Sequence, residues 1–207
     1  MINKIRQIQF NKHHYEMLTR CSENGDLKAW NEWRKSIKDA PILLEGAELG
    51  GLNLQGADLS NADLADAELW KANLRATRLQ GANLRSANLL DADLEGADLF
   101  KANLEGAELW KANLKDAELL EANLNNAELI RANLEGADLT GANLNGVDLW
   151  KANLKGTRLI AVSVNAATFI WCCEFDIHTD LTGMRVDLAR IEPRLKESLH
   201  TRVRLVQ

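Results

Sequence analysis

The side chains best suited to chemistry are four histidines and three cysteines, and their placement favours no common reaction. His13 and His14 are adjacent, whereas His178 and His200 lie near the other end of the sequence. No two of them have the spacing that would place both on one helix face as metal ligands. Cys172 and Cys173 are neighbours, but adjacent residues of an extended chain point in different directions, which disfavours a redox pair.

Carboxylates are abundant enough to suggest a hydrolase, since paired acids can act as general acid and general base. Glu108, Glu118 and Glu128 recur at regular spacing, however, which is typical of a solvated surface. The sequence also contains no glycine-rich phosphate loop and no nucleophile motif. We therefore predict that the protein is not an enzyme and has no catalytic residue, no metal site and no cofactor.

The regular spacing of these acids follows from a larger repeat. A leucine occupies every fifth position from Leu44 to Leu159, and Val164 and Phe169 continue the phase. The unit is Ala-(Asp/Asn/Glu)-Leu-x-x, and 26 consecutive units fill residues 42–171. A period of five fits neither a helix, with about 3.6 residues per turn, nor a strand, with a period of about 2. Each unit must therefore contain a turn, and the sequence predicts a solenoid.

The order of residues within a unit predicts which side chains are buried. Alanine and leucine are two positions apart, so a short extended segment points both to one side and the polar residue between them to solvent. The last two positions favour turn formers such as glycine and asparagine. The predicted core is represented by one leucine from each of five successive coils: Leu64, Leu84, Leu104, Leu124 and Leu144.

The outward residues predict the length of one coil. Stacked coils place chemically similar residues above one another, and the position after leucine repeats its chemistry at a spacing of twenty but not of fifteen. At that spacing the large apolar residues are Trp70, Leu90, Trp110, Ile130, Trp150 and Ile170. Four units therefore form one coil, and coils about 4.8 Å apart stack into a rod on the order of 30 Å long.

Units such as Ala57-Asp58-Leu59-Ser60-Asn61 and Ala102-Asn103-Leu104-Glu105-Gly106 resemble those of the pentapeptide-repeat proteins. The resemblance covers about two-thirds of the chain. It implies an all-β solenoid, a right-handed quadrilateral β-helix with four repeats per coil, and the handedness is implied by the resemblance only. The family carries several activities on this scaffold, so the fold alone does not define the function.

The residues before the repeat are predicted to form an N-terminal helical cap over 1–41. Helices are expected over 11–20 and 26–37, the second with an apolar face that includes Trp30 and Trp33. An open coil exposes strand edges and apolar core, and a cap would cover both.

The other end also departs from the regular pattern. The β-helix is predicted over 42–191, with regular units over 42–171 and a degenerate last coil over 172–191 whose phase is shifted by two residues. A short C-terminal α-helical cap is predicted over 192–207, with Leu195 and Leu199 on its buried side. This helix closes the second end of the coil stack or pairs with another copy.

One line of outward residues is predicted to bind a partner, because contiguous exposed apolar surface usually marks an interface. The residues of this line, the tryptophan stripe, are Trp70, Leu90, Trp110, Ile130 and Trp150. An acidic column (Glu48, Glu68, Glu108, Glu128, Asp148) and a basic column (Lys71, Lys111, Arg131, Lys151) accompany it. The alternative is that the stripe only stacks along the rod and shields backbone hydrogen bonds, or lies under a terminal helix.

Two classes of function fit these features. One is a non-catalytic scaffold that binds an unidentified protein partner, or a second copy as a homodimer, through the stripe. The resemblance implies the other, because some pentapeptide-repeat proteins mimic DNA, bind type II topoisomerases such as gyrase and protect them from inhibitors. Residues 42–171 contain 19 acids and 11 bases that alternate on every side. A DNA mimic should concentrate negative potential, so the scaffold is favoured, and direct binding of nucleic acid is not expected.

Composition predicts a cytoplasmic protein. The net charge is −5 and 46% of the residues are hydrophobic, which is typical of a globular chain. No stretch approaches the roughly 18 apolar residues of a membrane span, and the first residues do not resemble a signal peptide, so membrane insertion is not expected. Three cysteines are too few for a disulfide framework, which agrees with a reducing compartment.

Overall fold

The computed structural model describes residues 10–37, 40–165, 168, 170–171, 173–176 and 178–182. Two α-helices come first, α1 over Lys12–Glu23 and α2 over Leu27–Ile37. Both were expected, although α1 continues past the predicted end at residue 20. Neither helix has the length and apolar content needed to cross a bilayer. The predicted C-terminal helix over 192–207 lies outside the described residues, as do the degenerate units after Gly183.

The coil stack is built from single parallel β-bridges between residues twenty positions apart. Asn83, for example, bridges Asn103, which in turn bridges Asn123 and then Asn143. The chain therefore returns to an equivalent position after four five-residue units, as the outward residues predicted. Each extended piece makes isolated bridges only, so the described residues contain two helices and no continuous β-strand.

A tight turn follows each extended piece. The Ala87 N–H donates to the Leu84 carbonyl at 3.1 Å, and Ser86 between them has φ 56°. A positive φ at the third residue and not at the second, Arg85, is the pattern of a type II turn. The Ser86 N–H donates to the Glu105 carbonyl of the next coil at 2.9 Å, so the turn also belongs to the ladder that joins the coils.

The asparagines before leucine stabilise both the turn and the stack. Asn103 Oδ1 accepts from the Glu105 N–H at 3.2 Å and from Asn123 Nδ2 at 3.0 Å. Asn123 repeats the pattern with Asn143 Nδ2 at 3.0 Å. Each amide thus closes its own turn and contacts the next coil, which explains why asparagine is so common at this position.

The interior of the stack consists of leucine and alanine. All five leucines chosen from successive coils are 1% exposed or less: Leu64, Leu84, Leu104, Leu124 and Leu144. Thr77 and Thr157 replace alanine in two units and are fully buried. Their hydroxyls donate to the carbonyls of Leu54 and Leu134, at 2.9 Å each, so burial leaves neither hydroxyl unsatisfied.

The regular phase ends earlier than predicted. Thr157 donates to a carbonyl 23 residues before it, but Thr168 makes the corresponding bond with Leu144, 24 residues before it. The register of the coil has therefore shifted by one residue at Thr168, and the expectation of regular units through residue 171 is wrong. By Asp180, which bridges Arg158, the offset has reached the two residues that the sequence predicted.

The two irregular places use the same four-residue motif, Asn165-x-x-Thr168 and Asp176-x-x-Thr179. In regular coils the turn N–H donates to a backbone carbonyl, as Gly136 does to Lys155. The Gly156 N–H instead donates to Asp176 Oδ1 at 2.9 Å, and that of Gly146 to Asn165 Oδ1 at 3.1 Å. A side-chain oxygen thus replaces the displaced carbonyl. This donation by Gly156 is the largest cause of a lowered pKa of the Asp176 carboxyl.

Helix α2 covers the first coil, whose edge has no coil beneath it. Trp30 is fully buried, and its indole N–H donates to the Asp58 carbonyl at 3.0 Å. Asn31 donates to the Gly56 carbonyl at 2.9 Å and accepts from the Asp58 N–H at 2.7 Å. Arg34 donates to the Ser60 carbonyl at 2.9 Å. Side chains of α2 therefore satisfy backbone groups at this edge, and those of Asp58 and Ser60 correspond to groups that pair with a preceding coil elsewhere in the stack.

Helix α1 contributes a contact that depends on protonation. His14 Nδ1 accepts a hydrogen bond from the Leu43 N–H at 3.2 Å, which requires the neutral imidazole. Burial, followed by the nearby His13 and Arg34, lowers the pKa of His14 below its ordinary value of 6.5. The folded state therefore binds fewer protons than the unfolded state as the pH falls through this range.

We expect acid to weaken docking of α1. The contribution of His14 is complete above the unfolded pKa and is lost as the pH falls from about 6.5 towards the lower folded pKa. Thermal unfolding measured between neutral pH and pH about 5 should show this loss in the wild type. His14→Asn, whose amide oxygen accepts without titrating, should flatten that part of the profile. Identical profiles for the two proteins would contradict the assignment.

Candidate protein-interaction surface

The tryptophan stripe occupies the first turn position after leucine on one side of the coils. Trp70 is 43% exposed, Leu90 38% and Trp110 42%, which is high for such large apolar side chains. Ile130 and Trp150 are half-buried. The stripe therefore presents apolar surface over five successive coils, from Trp70 to Trp150.

Large and smaller side chains alternate along the stripe. Trp70 lies over Gly50, where the space for a side chain is filled by the indole ring. Further along, Trp110 and Trp150 bound a shallow depression of about 320 Å³ that is also lined by Leu90 and Ile130. The stripe is thus a series of tryptophan ridges separated by aliphatic notches.

Charged neighbours hold the tryptophans in place. The Trp110 indole N–H donates to Glu128 of the acidic column. The Trp150 ring lies beside two cations of the basic column, with Lys151 Nζ 4.5 Å and Arg131 Cζ 5.6 Å from its centroid. These contacts orient the rings without covering them, since cations near an aromatic face leave the rest of the ring accessible.

The far end of the stripe differs from the prediction. Ile170 was expected to continue it, but Ile170 is 3% exposed and lies in the core. The N–H of Lys151 donates to the Trp171 carbonyl, whereas the equivalent Arg131 N–H donates to the Trp150 carbonyl. Trp171, 38% exposed, therefore takes the place above Trp150. The one-residue shift of register at Thr168 causes this exchange. In the sequence, the only sign of the shift is the Asn165-x-x-Thr168 motif.

The charges beside the stripe differ from those on the other three sides. Residues 42–165 contain 11 lysines and arginines. The seven on the other sides all form ion pairs within 4.0 Å: Arg75, Arg78, Arg85, Lys101, Lys115, Lys155 and Arg158. Within the described residues the four cations of the basic column form none: Lys71, Lys111, Arg131 and Lys151. The stripe is therefore bordered by the cations that are not neutralised internally.

The residues of the basic column adopt a backbone conformation that favours glycine, so the presence of Lys and Arg there is informative. Its members occupy the left-handed turn position, with φ between 55° for Lys71 and 59° for Arg131. This conformation disfavours residues with a Cβ, and glycine avoids the penalty. Of the 24 turns, 14 carry another residue and ten carry glycine. Beside the stripe four of six turns carry Lys or Arg, with Gly51 and Asp91 as the others, whereas Lys101 is the only cation among the remaining eighteen.

We expect the lysines of the basic column to contribute nothing to the stability of the coil. In Lys111→Gly, relief of the left-handed strain, about 1–2 kcal/mol, should offset the entropy cost of glycine, about 0.5–1 kcal/mol. The free energy of unfolding, measured with urea, should stay equal to or slightly above the wild-type value. The control is Glu32→Gly in the middle of α2, which should lose about 1 kcal/mol. A similar loss in both variants would show that Lys111 supports the coil.

The chemically reactive residues are scattered. His13 and His14 lie in α1, whereas His178 is exposed at the far end of the coils, and Cys173 occupies an alanine position with its thiol 2.8 Å from the Leu149 carbonyl. Cys172 and His200 lie outside the described residues. Within the described chain, no group of three or more His, Cys, Asp or Glu is arranged to hold a metal ion.

The repeat is matched by a family model. The model of pentapeptide repeats matches in 8 copies, and the aligned segments are 43–81, 77–116, 107–146, 122–159 and 137–173. The chain belongs to the pentapeptide-repeat family. This match covers more than half of the sequence and indicates no catalytic family. No functionally curated protein matches the sequence.

Several solved structures of pentapeptide-repeat proteins are similar to the chain. Rfr23 from the cyanobacterium Cyanothece 51142 is 41% identical over 44% of this chain and 62% of its own, with a TM-score of 0.42. The chain thus spans less than two thirds of that relative. HetL from Nostoc sp. strain PCC 7120, which is involved in heterocyst differentiation regulation, is 26% identical over 73% of this chain and 91% of its own, with a TM-score of 0.30.

QnrB1, a plasmid-mediated fluoroquinolone resistance protein, is 20% identical over 73% of this chain and 85% of its own, with a TM-score of 0.37. Because all three TM-scores are below 0.5, the family assignment rests on the repeat matches. A shared repeat fold does not define an activity, so membership in the family leaves the function of this chain open.

Proposed function

We propose that this pentapeptide-repeat protein is a non-catalytic scaffold that binds a protein partner, or a second copy of itself, through the tryptophan stripe. The observation that carries the proposal is the pairing of cations. All seven on the other sides are neutralised by carboxylates, and the four beside the stripe are not. A purely structural stripe accounts for Arg131 and Lys151, which lie beside the Trp150 ring, but not for Lys71 and Lys111, which make neither an ion pair nor a cation–π contact within the described residues.

The exposed rings support the same proposal. Tryptophan is enriched among the residues that dominate binding energy, and apolar anchors surrounded by charges are typical of interfaces. The structural alternative, in which the rings shield the backbone, predicts that removing them costs stability. The interface predicts that removing them costs association instead.

The first test places a photo-crosslinking residue at Trp110 and, as a matched control, at Phe100. Phe100 is similarly exposed, at 38% against 42%, but lies half a coil away on the opposite side. Crosslinks to a partner or a second copy should form from position 110 and not from position 100. Equal crosslinking from both positions would contradict a specific surface.

The second test combines Trp110→Ser and Trp150→Ser. Association, detected in this variant by a photo-crosslinking residue at Leu90, should be lost while the melting temperature changes little, because both rings lie outside the core. A large fall in melting temperature with association retained would assign the stripe a structural role.

A second candidate function is protection of a type II topoisomerase by DNA mimicry. It is favoured by the excess of acids over bases, 19 against 11 in residues 42–171. The cations on every side reduce the continuous negative potential that a mimic requires. A gyrase supercoiling assay with a fluoroquinolone tests it, since a mimic should restore activity and a scaffold should not.

We also propose the right-handed quadrilateral form of the coil, as the family resemblance implies, and a cytoplasmic location without a cofactor. A crystal structure would decide the handedness. Fractionation of cells that express the tagged protein would decide the location.

A further inference from the structure

We propose that the stripe receives an amphipathic α-helix of a protein partner, with a row of Asp or Glu along the flank that faces Lys111, Arg131 and Lys151. This inference rests on the proposed function and specifies the chemistry of the partner. It follows from the spacing of the ridges, from the unpaired cations and from the arrangement of charge on the two sides of the stripe.

The ridge spacing fits a helix better than an extended chain. Trp70, Trp110 and Trp150 recur on every second coil, so ridges and notches are each repeated about every 9.6 Å. Seven residues of an α-helix span about 10.5 Å, close to this distance. Side chains on one side of a strand recur about every 6.8 Å, so a strand places none at one ridge interval and can meet only every second notch. Apolar residues seven apart on a helix can therefore enter the notches at Leu90 and Ile130.

The basic column specifies the charge on one flank of that helix. Lys111, Arg131 and Lys151 are exposed on consecutive coils, and none has an ion pair within the described residues. Carboxylates on the helix would supply the partners that acids supply on the other three sides. Asp91 interrupts the column towards Trp70, which places the strongest attraction beside the depression between Trp110 and Trp150.

A symmetric dimer through the stripe fits less well, because acids and bases border opposite edges. If two copies pack stripe to stripe with antiparallel axes, each acidic column faces the acidic column of the other copy, which is repulsive. If the axes are parallel, opposite charges meet, but every ridge such as Trp110 then faces its own equivalent and cannot enter a notch. A helix of different sequence avoids both conflicts.

The experiment uses two synthetic helices of about three heptads with leucine at the apolar positions. One carries glutamate on the flank that would face the basic column and lysine on the other flank, and the second has these flanks exchanged. Binding to the full chain is followed by tryptophan fluorescence and by titration calorimetry. The two peptides have equal composition, so any difference in affinity reports the arrangement of charge.

We expect the first peptide to bind at least about tenfold more tightly than the second, and the difference to shrink as salt is added. The triple variant Lys111→Glu, Arg131→Glu, Lys151→Glu should invert the preference. Glutamate is compatible with this backbone, since Glu121 adopts φ 55° at the equivalent turn position. The matched control, Lys115→Glu with Lys155→Glu, changes cations that pair with Glu135 and Glu174 and should leave the preference unchanged.

The other outcomes overturn the inference in distinguishable ways. Equal binding of both peptides, lost in the Trp110→Ser, Trp150→Ser protein, would refute the charged flank and leave the proposed function intact. Binding of neither peptide, with crosslinking from position 110 retained, would refute the helix. A dimer in sedimentation experiments that the same two serines abolish would replace the helix by a second copy. Absence of crosslinks and of peptide binding would refute the proposed function itself.

Discussion

Replacing Leu104 by alanine should lower the free energy of unfolding by about 2–5 kcal/mol, the range found for buried leucines. Leu104 has no exposed surface and lies in the middle of the stack. Its N–H donates to the Asn123 carbonyl at 2.7 Å, and the Leu84 N–H donates to the Asn103 carbonyl at the same distance. Because both neighbouring coils are fixed in this way, the cavity cannot close, and we expect a loss in the upper part of the range.

Urea unfolding followed by circular dichroism measures this loss. Glu105→Ala is the matched control, because Glu105 is the next residue, is exposed and should change stability by less than about 0.5 kcal/mol. The neighbouring alanine position provides the opposite test. Ala107 is fully buried, so Ala107→Leu should overpack the interior and cost about 1–3 kcal/mol. Wild-type stability in both core variants would refute the inward placement of leucine and alanine.

Most of the coil could be predicted because one five-residue period specifies it. Leucine and alanine mark the interior, the intervening Asn or Asp closes the turn, and equivalent positions recur after four units. Helix α1 was predicted to end at residue 20, but it continues to Glu23 and buries Cys21 one turn after Leu18. The expectation of α2 was accurate, since Trp30 and Trp33 repeat at a helical spacing before the coil begins.

The register shift was placed too late because the sequence offers two equivalent phases there. Val164 and Phe169 continue the leucine spacing, which concealed the shift. The hydroxyl of Thr168 selects between the two registers, because it reaches the Leu144 carbonyl only if the chain is displaced by one position. This hydrogen bond cannot be predicted from the pattern of hydrophobic residues. The pattern therefore places Ile170 on the outside, where the structure has Trp171.

The acidic and basic columns beside the stripe were predicted from the sequence. That the cations of the basic column form no ion pair within the described residues was not. Lys111 and Lys115 are both lysines at outward positions of the same coil, so residue type does not distinguish them. Lys115 Nζ lies 3.0 Å from a Glu135 carboxylate oxygen, and Lys111 has no carboxylate within 4.0 Å in the described chain. The twenty-residue coil spacing already places Glu135 beside Lys115, but it also places Asp91 beside Lys111, and only the coordinates show that the first pair forms and the second does not.

Replacing Trp30 by alanine should release helix α2 from the first coil. Trp30 is fully buried, its ring packs against Trp33 with centroids 5.0 Å apart, and its indole N–H pairs with the Asp58 carbonyl. Loss of such a tryptophan typically costs about 3–5 kcal/mol. The cost should appear as undocking of the helices, because the hydrogen bond of Trp30 is made to the first coil.

Hydrogen exchange separates this local effect from global unfolding. In Trp30→Ala the Asp58 N–H, which donates to Asn31, should exchange much faster, whereas the Leu104 N–H in the middle of the stack should keep its protection. Lys28→Ala is the control, because Lys28 is exposed on the same helix and should change neither rate. Equal acceleration at Asp58 and Leu104 would mean that the helices and the coils unfold as one unit.

Removing residues 1–38 should have a larger effect of the same kind, because both helices are then missing from the first coil. The Asp58 N–H and the carbonyls of Gly56, Asp58 and Ser60 would lose their partners in α2, and the first layer of leucines would face water. Such an edge pairs readily with another edge, so the truncated protein should associate end to end or aggregate as its concentration rises. Sedimentation over a range of concentrations measures this directly. A truncated protein that stays monomeric throughout would show that the two helices do not serve as a cap.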